Sequence, residues 1–482
     1  MTRKLYGPFN RVEGDLEVDV EVSHGEVVSA RVNSPLYRGF EQILQGKPPR
    51  DALVYTPRIC GICSVSQSLA AARALADAQG IEPTPNGEGV TNLILACENL
   101  ADHLTHFYLF FMPDFARDAY AGEAWHEEMA RRFRARSGSA AIAMLRARAE
   151  FMHITGILAG KWPHSLSIQP GGVTTSPGAP EKVQLLAILQ GFRGFLENVL
   201  FGDRLEAVAG LESIAALEQW AAAHGDSDFG RFLRLAGVLN LHELGVIAPD
   251  FMSYGAYREG GGYLLPAGGW NTETGLRPFE SRLICEDISH SWMLSQNAPK
   301  HPWQGTTQPD PVQADGYSWC KAPRYDGRVM EVGAQARQVI AGQPLLRALV
   351  EAHGSNVGNR VVGRLLELAC ILPQMEQWVR RIEPGAPFRN RESLPDEAEG
   401  CGLVEAARGS LGHWVRIRNG RILNYQIIAP TTWNFSPRDQ REMPGALEQA
   451  LEGTPVADSG GESVAIQHVV RSFDPCMVCT VH

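Results

Sequence analysis

The sequence lacks a long apolar run, a basic stripe and a hydrophobic N-terminus. Its longest apolar stretches, such as VQLLAILQGF at 183–192, are too short to span a bilayer. The formal net charge is −10, and Lys and Arg form no basic patch, which argues against nucleic acid as a partner. The first residues, MTRKLYGPFN, contain no apolar segment of the kind found in signal peptides. We therefore expect a cytoplasmic protein with no direct membrane insertion.

Cysteine is scarce and odd in number, with nine residues in a chain of 482. This argues against a disulfide-stabilised scaffold and favours reduced thiols that are buried or bound to metal. Internal repeats, low-complexity tails and an obvious interdomain linker are also missing from the sequence. The length alone would allow about three domains, but these absences lead us to predict one large domain over residues 1–482.

A mainly helical pattern is present, with short β-elements near both ends. Alternating residues around His24-Gly25 predict a hairpin, and so do two strand-like runs around Asn419-Gly420. Glycine- and proline-rich segments, including QPGGVTTSPGAP and EGGGYLLPAGG, predict loops. We predict an α+β fold with a large central helical bundle and small hairpin or sheet elements near both termini. The predicted helices cover about 64–78, 90–112, 119–136, 140–158, 180–210, 331–353 and 357–382.

Two C-x-x-C pairs stand at opposite ends of the chain. Cys60 and Cys63 lie in RICGICSVSQ, and Cys476 and Cys479 lie in DPCMVCTVH. Four thiolates can close a tetrahedral metal site, and the positive end of a helix that follows Cys63 would favour the thiolate form. A structural zinc site is one interpretation, but zinc ribbons usually keep their pairs about 15–20 residues apart. His482, the last residue, is a further candidate ligand of this metal or of a second one.

The two pairs are accompanied, in chain order, by the segments RVEGD, YRGFEQIL, HLTHFYLFF, PHSLSIQPGGVT, APRYDGRVMEVGAQAR, EAARGSLGHW and NYQIIAPTTWN. With these segments the chain resembles the large, catalytic subunit of [NiFe] hydrogenases, from residue 11 to its end. The resemblance implies the fold of that subunit. It also implies an enzyme that splits H₂ heterolytically into protons and electrons.

The resemblance further implies a nickel–iron centre with CO and two cyanides on the iron. Nickel would be bound by Cys60, Cys63, Cys476 and Cys479. Of these, Cys63 and Cys479 would also bridge to the iron, whereas Cys60 and Cys476 would be terminal nickel ligands. The diatomic ligands are made by maturation proteins, so the chain without its centre should be inert.

A magnesium ion beside this centre is also implied by the resemblance. Its ligands would be His482, Glu41 of RGFEQIL and the main-chain carbonyl of Ile427, with Glu331 of MEVG supporting the site. The spacing of these residues would not by itself indicate magnesium, which prefers oxygen ligands and water to imidazole.

The resemblance assigns roles to five residues around the reacting H₂. Cys476 would take the proton, and Glu13 of RVEGD would relay it towards solvent, since a buried Glu can have a pKa near neutrality. Arg408 of EAARGS would lie over the metals, where its permanent charge offsets the anionic centre. Asp102 and Asp474 would hold Arg408. Without the family match, a solvated carboxylate is the simpler interpretation of each acidic residue.

Four departures from the usual family pattern lie at the predicted centre. Gln67 stands where most members have His; its amide can donate a hydrogen bond to a bridging sulfur but cannot be protonated. Ala407 replaces the usual Pro before Arg408. Ile62 and Phe110 stand where Val and Leu are commoner along the gas channel, and these larger side chains would narrow it. The exchanges at Ile62 and Phe110 are singly neutral core swaps, under about 1.5 kcal/mol. Gln67, Ile62, Phe110 and the missing extension after His482 together resemble the H₂-sensing regulatory hydrogenases.

The electrons released from H₂ need an acceptor on another chain, because the other five cysteines of this sequence form no iron–sulfur cluster motif. The family supplies a small subunit that carries iron–sulfur clusters, and a sensor would also contact a histidine kinase.

Related chains are made with an extension after the final His. None is present here, as in a mature chain or a gene that lacks one. A respiratory uptake hydrogenase and a noncatalytic, zinc-stapled interaction protein remain alternatives. A related quinone-reducing subunit would lack the four cysteines.

Overall fold

The computed structural model describes residues 2–248, 250–456 and 463–482. Helices dominate this part of the chain, and its strands form small antiparallel sheets of two or three members. The predicted mainly helical α+β class is therefore confirmed. Among the described residues, no helix combines the length and the apolar character needed to cross a bilayer. The prediction of a single domain over residues 1–482 stays a prediction.

The α-helices of the described residues form in chain order as follows: α1 Phe40–Leu44, α2 Ala52–Tyr55, α3 Ser64–Gln79, α4 Pro85–Thr105, α5 His126–Phe133, α6 Ser139–Phe151, α7 His153–Ala159, α8 Ala179–Phe195, α9 Leu205–Ala209, α10 Ile214–Ala223, α11 Asp228–Val238, α12 Ala334–Ala341, α13 Pro344–His353, α14 Val357–Arg381, α15 Pro430–Asn434, α16 Ala446–Leu451, α17 Val464–Ser472 and α18 Met477–Thr480. The strands are β1 Thr2–Tyr6, β2 Glu17–Ser23, β3 Glu26–Asn33, β4 Ile168–Gln169, β5 Gly172–Val173, β6 Asp250–Glu259, β7 Gly262–Asn271, β8 Gly275–Arg277, β9 Ile284–Asp287, β10 Ala322–Tyr325, β11 Ala398–Ala406, β12 Gly409–Arg418 and β13 Arg421–Ile428.

The long helices α4 and α14 form the centre of the bundle and pack against each other. Helix α4 begins where Thr84 accepts the backbone N–H of Gly87 through its hydroxyl at 3.1 Å, with Pro85 in the first turn. Helix α14 also packs against α8, α9 and α12. Nearly all of α4 is buried, which is why its sequence shows little amphipathic periodicity.

Both predicted hairpins are present. Strands β1, β2 and β3 form one sheet in that order, and the turn between β2 and β3 holds His24 and Gly25 at φ 53° and 80°. Strands β11, β12 and β13 form another sheet, with Asn419 and Gly420 in the turn between β12 and β13. Such positive-φ turns match the right-handed twist of paired strands.

The second of these sheets supports helix α3, which starts directly after the first cysteine pair. Glycines in β11 allow this close packing: a Cβ on Gly402 would lie 1.9 Å from the carbonyl oxygen of Ala70. A Cβ on Gly400 would lie 2.0 Å from the carbonyl oxygen of Ala74. The backbone of α3 therefore packs on β11, and this contact positions the helix that follows the first cysteine pair.

One predicted loop was wrong. The segment EGGGYLLPAGG lies in a hairpin of two ten-residue strands, β6 and β7, whose turn is made by Gly260 and Gly261 at φ 60° and 85°. Further glycines obscured the strand pattern because they allow close packing. A Cβ on Gly268 would lie 3.1 Å from the side chain of Ile340.

Several predicted helices are shorter or interrupted. The predicted segment 331–353 breaks at Gly342, which adopts φ 88° between α12 and α13. The segment 119–136 is helical only in α5, because turns fill its first part. A π-helical turn at His106–Phe111 ends the helix predicted over 90–112, and a second π-turn follows α8. The sequence did not predict α10 and α11.

Candidate metal centre

The four cysteine sulfurs converge on one buried point. The Sγ atoms of Cys63 and Cys479 are 3.0 Å apart, those of Cys60 and Cys476 are 3.4 Å apart, and those of Cys476 and Cys479 are 3.2 Å apart. All four ligand atoms lie within 4.8 Å of one another, and all four residues are free cysteines. A soft metal is the species that such a donor set binds.

The first pair is held by the start of α3. Its N-cap residue, Cys63, makes no side-chain capping bond, so the N–H groups of the buried first turn, which have no partner within the helix, need another acceptor. Glu98 of α4 supplies it, accepting the N–H groups of Val65 at 2.8 Å and Ser66 at 3.0 Å. The same carboxylate accepts the indole N–H of Trp162 at 3.0 Å. Burial raises the pKa of Glu98 to about 7, against the effect of these donors.

The second pair, Cys476 and Cys479, is held by contacts with the loop between β1 and β2, residues 7–16, which we call the N-terminal loop. Glu13 and Cys476 form an isolated parallel bridge, in which the N–H of Met477 donates to the carbonyl of Glu13 at 2.7 Å. Arg38 joins the two pairs, because its guanidinium donates to the carbonyls of Ile59, at 2.6 Å, and of Val478. The two ends of the chain are thereby fixed to each other.

Hydrogen bonds among the four cysteine side chains are the main cause of the shifts in the pKa values of Cys60 and Cys63. Donation from the other three thiols, first that of Cys476, lowers the pKa of Cys60 well below its usual range. The same bonds raise the pKa of Cys63. The four sulfurs are thus coupled through shared hydrogen bonds, and a bound metal would replace the shared protons.

Arg408 lies beside this cluster and is held by two aspartates. It donates to the Asp102 carboxylate at 2.7 Å, and to the carboxylate and carbonyl of Asp474 at 3.0 and 2.8 Å. Although burial opposes ionisation of the guanidinium, Asp102 and Asp474 raise the pKa of Arg408. Burial raises the pKa of Asp102 to about 7 despite the charge of Arg408. From the sequence, we expected Arg408, Asp102 and Asp474 to lie together only because of the family resemblance.

Glu13 is half-buried at the same place. Burial and the charge of Cys60 raise the pKa of Glu13, while Arg408 and Arg38 oppose this. The structure thus brings Glu13 to the backbone of Cys476 and within electrostatic reach of Cys60 and Arg408. Its role as a proton relay stays a prediction.

The four departures from the family pattern lie at different distances from the cluster. The N–H of Ile62 donates to the sulfur of Cys60 at 3.3 Å, and Ala407 precedes Arg408 at the turn between β11 and β12. Gln67 is fully buried one turn into α3. Phe110 is half-buried in the π-turn after α4, and its carbonyl accepts a hydrogen bond from a side chain of the N-terminal loop. The gas-channel role of Ile62 and Phe110 stays a prediction.

A second polar site adjoins the second pair. The Nδ1–H of His482 donates to the carbonyl of Cys479 at 3.0 Å, and its Nε2 lies 3.4 Å from Glu41 Oε1. Glu41 also accepts the N–H of Ile427 at 2.7 Å. Burial would raise the pKa of Glu41, but Lys321, at 3.3 Å, and then His482 lower it to about 2.

Glu331 does not support this second site, contrary to the sequence-based prediction. Its carboxylate accepts two bonds from Arg360, at 2.9 and 3.1 Å, and one from Ser355 at 2.7 Å. Glu286 occupies the predicted supporting position instead, 3.4 Å from the ammonium of Lys321. Glu286 could not be predicted for this position, because it lies in a short strand, β9, outside the segments that carry the family resemblance.

Sequence reasoning also missed Asp114, which connects the two chain ends. It accepts hydrogen bonds from Arg11 and, at 2.6 Å, from Arg471. Arg471 also donates to the carbonyl and side chain of Asn10 at 2.9 and 2.8 Å. The only sequence signal was an acidic residue directly after Pro113, which resembles ordinary helix termination.

Comparison with known proteins agrees with this geometry. The family model for nickel-dependent hydrogenases matches residues 38–135 and 137–482. The large subunit of the periplasmic [NiFeSe] hydrogenase of Desulfomicrobium baculatum is 30% identical, over 98% of this chain and 94% of that one. The uptake hydrogenase large subunit of Azotobacter chroococcum mcd 1 is also 30% identical, over 100% and 95%.

A solved structure shows the same fold. The Ni-Fe-Se hydrogenase of D. vulgaris Hildenborough in its reduced state superposes with a TM-score of 0.86 at 29% identity, over 100% of both chains. The family model and the solved structure both cover the two cysteine pairs. The chain therefore belongs to the nickel-dependent hydrogenase family, as the large subunit of an oxidoreductase that acts on H₂.

Proposed function

We propose that the four-cysteine cluster holds a nickel–iron centre whose iron carries CO and two cyanides, and that the chain splits H₂ heterolytically in a cytoplasmic H₂ sensor with slow turnover. The observation that carries the catalytic part is the convergence of four cysteine sulfurs from both chain ends beside Arg408 and Glu13. The sensor role rests on narrower observations, given below.

The residues present fit such a centre. Four sulfurs within 4.8 Å of one another are soft donors, which bind nickel and iron well. No second group of three or more metal-ligating side chains was found among the described residues. Structural zinc would fit the sulfurs alone, but it gives no reason for a buried Arg408 between two buried aspartates or for Glu13 at the edge of the cluster. These neighbours favour a reacting centre.

When bound, the nickel–iron centre supplies the electron-accepting chemistry that makes H₂ acidic. The chain supplies the proton path: the sulfur of Cys476 holds the proton first, and the carboxylate of Glu13, whose backbone bridges to Cys476, receives the proton. Arg408 offsets the negative charge of the thiolates. Asp102 and Asp474 keep its guanidinium fixed, so no reorganisation is needed during the reaction.

The second polar site would hold Mg²⁺. Glu41 would offer a carboxylate oxygen, His482 its Nε2 and Ile427 its carbonyl, and all three residues line the same cavity. A cavity of about 10 Å³ lined by these residues is the size of one water molecule or small ion. Two carboxylates, Glu41 and Glu286, face one ammonium, Lys321, which leaves negative charge for a cation to balance.

A small subunit completes the enzyme, since hydrogenase large subunits pair with one. Five cysteines of this chain stand outside the cluster and are scattered, so they cannot form an iron–sulfur relay. The small subunit would therefore carry the iron–sulfur clusters that accept electrons. In a sensor, this pair of subunits would contact a histidine kinase. The outside cysteines are Cys97, Cys285, Cys320, Cys370 and Cys401.

The choice between sensing and uptake depends on three residues. Gln67, Ile62 and Phe110 together favour the regulatory subgroup. Uptake is the second candidate, because curated relatives such as that of Azotobacter chroococcum mcd 1 are named uptake hydrogenases. A purified complex with rapid H₂ oxidation and no H₂-dependent effect on a histidine kinase would favour uptake. Slow oxidation with such an effect would support sensing.

An infrared spectrum of the purified complex tests the centre itself. Bands from iron-bound CO and cyanide support the proposal. A complex of normal folding and full cysteine content that shows no such bands after co-expression with maturation proteins would contradict it.

A further inference from the structure

The side-chain amide of Gln67 is held at one end only. Its Oε1 lies 2.9 Å from Nε2 of His413, whereas its own Nε2 is buried and has no hydrogen-bond partner among the described residues. Gln67 follows Cys63 by one helical turn, and its N–H donates to the Cys63 carbonyl at 3.1 Å. A buried NH₂ group without an acceptor is costly. A hydrogen-bond acceptor is therefore missing from this place in the protein alone.

His413 connects Gln67 to a buried tyrosine. Its Nδ1 lies 2.8 Å from the hydroxyl of Tyr425. His413 on β12 pairs with Ile427 on β13, and Tyr425 pairs with Val415, so His413 and Tyr425 are diagonal neighbours on one face of the sheet. Gln67, His413 and Tyr425 are all completely buried. They form a chain of hydrogen bonds that starts in the C-terminal sheet and ends at Gln67, one helical turn after Cys63.

This chain can run in only two directions. Burial lowers the pKa of His413 to about 3, so the ring is neutral and carries one N–H. If the Tyr425 hydroxyl donates to Nδ1, then Nε2–H donates to Gln67 Oε1 and the amide NH₂ stays free. If Nδ1–H donates to Tyr425, then Nε2 accepts from the amide NH₂, and Oε1 is left free instead.

The sulfur cluster selects between these directions. Thiolate sulfur is a hydrogen-bond acceptor and carries negative charge, so it attracts an NH₂ group and repels an amide oxygen. The structure has the first direction, in which Oε1 faces His413. Glutamine can adopt both orientations in nearly the same space, but a hydrogen bond donated by the Tyr425 hydroxyl to His413 Nδ1 is compatible only with the first of them.

We propose that Tyr425 and His413 are positioning residues that fix the amide of Gln67, so that its NH₂ group donates a hydrogen bond to a cysteine sulfur of the loaded centre. This inference rests on the proposed function, because the acceptor belongs to that centre. It extends the function by assigning two residues that touch neither the metal nor the substrate. Their effect is to set how much electron density the sulfur passes to the metals.

Infrared bands of CO and cyanide report this effect without any measurement of turnover. The complex would be prepared as Tyr425→Phe, Gln67→Leu and the double variant. Tyr108→Phe is the matched control, because its buried hydroxyl donates to Asp228 at 2.7 Å, away from the cluster. We expect the bands of Tyr425→Phe to shift or split, and those of Tyr108→Phe to keep the wild-type positions.

The double variant decides whether Tyr425 acts through Gln67. We expect its bands to coincide with those of Gln67→Leu, since the hydroxyl has nothing left to orient. Wild-type bands in Tyr425→Phe would overturn the inference, and so would an undiminished Tyr425→Phe shift in the Gln67→Leu background. Absence of all bands from the wild-type complex would instead contradict the proposed function.

A second variant covers the case in which Tyr425→Phe does not assemble. His413→Gln offers a donor and an acceptor that can exchange places, so it no longer imposes one direction. We expect two sets of CO and cyanide bands from this variant. A single set at the wild-type positions would overturn the inference.

Discussion

The sulfur atoms of Cys63 and Cys479 lie 3.0 Å apart, although 416 residues separate the two cysteines in the chain. Their proximity therefore depends on the tertiary fold and not on any local segment of the chain. Cys63 is placed by the start of α3, and Cys479 is placed by the segment that pairs with the N-terminal loop. Residues that support these two segments should therefore control metal binding without touching the metal.

Glu98 is the first such residue. Glu98→Leu would leave the N–H groups of Val65, Ser66 and Trp162 without an acceptor, at about 1–3 kcal/mol each. We expect a lower thermal unfolding midpoint and less nickel bound per chain. Glu98→Gln, which keeps one acceptor oxygen, should lie between this variant and the wild type.

Exposed Glu150 of α6 provides the control for Glu98. Glu150→Leu should change neither the unfolding midpoint nor the nickel content. Full nickel content in Glu98→Leu would show that the capping carboxylate does not position the first pair.

Asp114 should affect proton transfer as well as stability. Asp114→Asn weakens its pairs with Arg11 and Arg471, and removing one partner of a buried ion pair costs about 3–5 kcal/mol. Arg11 lies two residues before Glu13, so the relay should lose its fixed position. We expect H₂/D₂ exchange, measured per bound nickel, to fall several-fold.

Asp228 provides a matched buried aspartate, paired with Arg132 at 2.6 Å and with Tyr108 at 2.7 Å. Asp228→Asn should lower the unfolding midpoint by a similar amount but leave exchange per nickel unchanged. Equal exchange rates in the two variants would remove the link between Asp114 and the relay.

His468 should make the protein sensitive to acid. Burial lowers its pKa to about 4 despite nearby Asp114, against an ordinary value of about 6.5. The native state therefore holds His468 neutral, whereas the unfolded chain takes up a proton below pH of about 6.5. The resulting stability is present above that pH and is lost as the pH falls towards 4.

His468→Gln removes this titration while keeping an amide that can reach Tyr120, whose hydroxyl lies 2.9 Å from the ring. Between pH 8 and pH of about 5, the unfolding midpoint of this variant should fall less than that of the wild type. Exposed His153→Gln should follow the wild type. Parallel curves for all three proteins would exclude the role of His468.

Ile62 and Phe110 test the predicted gas channel. Ile62→Val with Phe110→Leu should keep the unfolding midpoint, because such swaps cost less than about 1.5 kcal/mol each, but should speed inactivation by O₂. Ile340→Val with Phe201→Leu is the control, since these buried side chains contact Gly268 and Phe229 instead. Unchanged O₂ inactivation in the first pair of exchanges would leave the size filter without support.

Much of this molecule could be predicted from the sequence where the pattern is local. The hairpins at His24 and Asn419 follow from turn chemistry, and α3 follows from an uninterrupted run of helix-forming residues. The β6–β7 hairpin could not be predicted, because glycines that permit close packing also mask the alternation of a strand. The break at Gly342 has a local signal that the sequence-based prediction overlooked, a C-cap glycine followed by Pro344 in the first turn of the next helix.

The residues of the metal centre also divide into those that the sequence could predict and those that it could not. Family resemblance placed Arg408 between Asp102 and Asp474, and the geometry agrees with that placement. Glu98 and Asp114 were missed because their importance lies in partners far along the chain. A buried carboxylate of this kind has no signature in the neighbouring sequence, so it cannot be distinguished there from a solvated Asp or Glu on the surface.

Metal analysis of the purified complex tests most directly whether opposite chain ends jointly hold a nickel–iron centre. We predict nickel in stoichiometric amount with this chain, and its loss on Cys63→Ser or Cys479→Ser alike, because each removes one of the four converging sulfurs. Zinc without nickel, or nickel retained after exchange of either cysteine, would contradict the account.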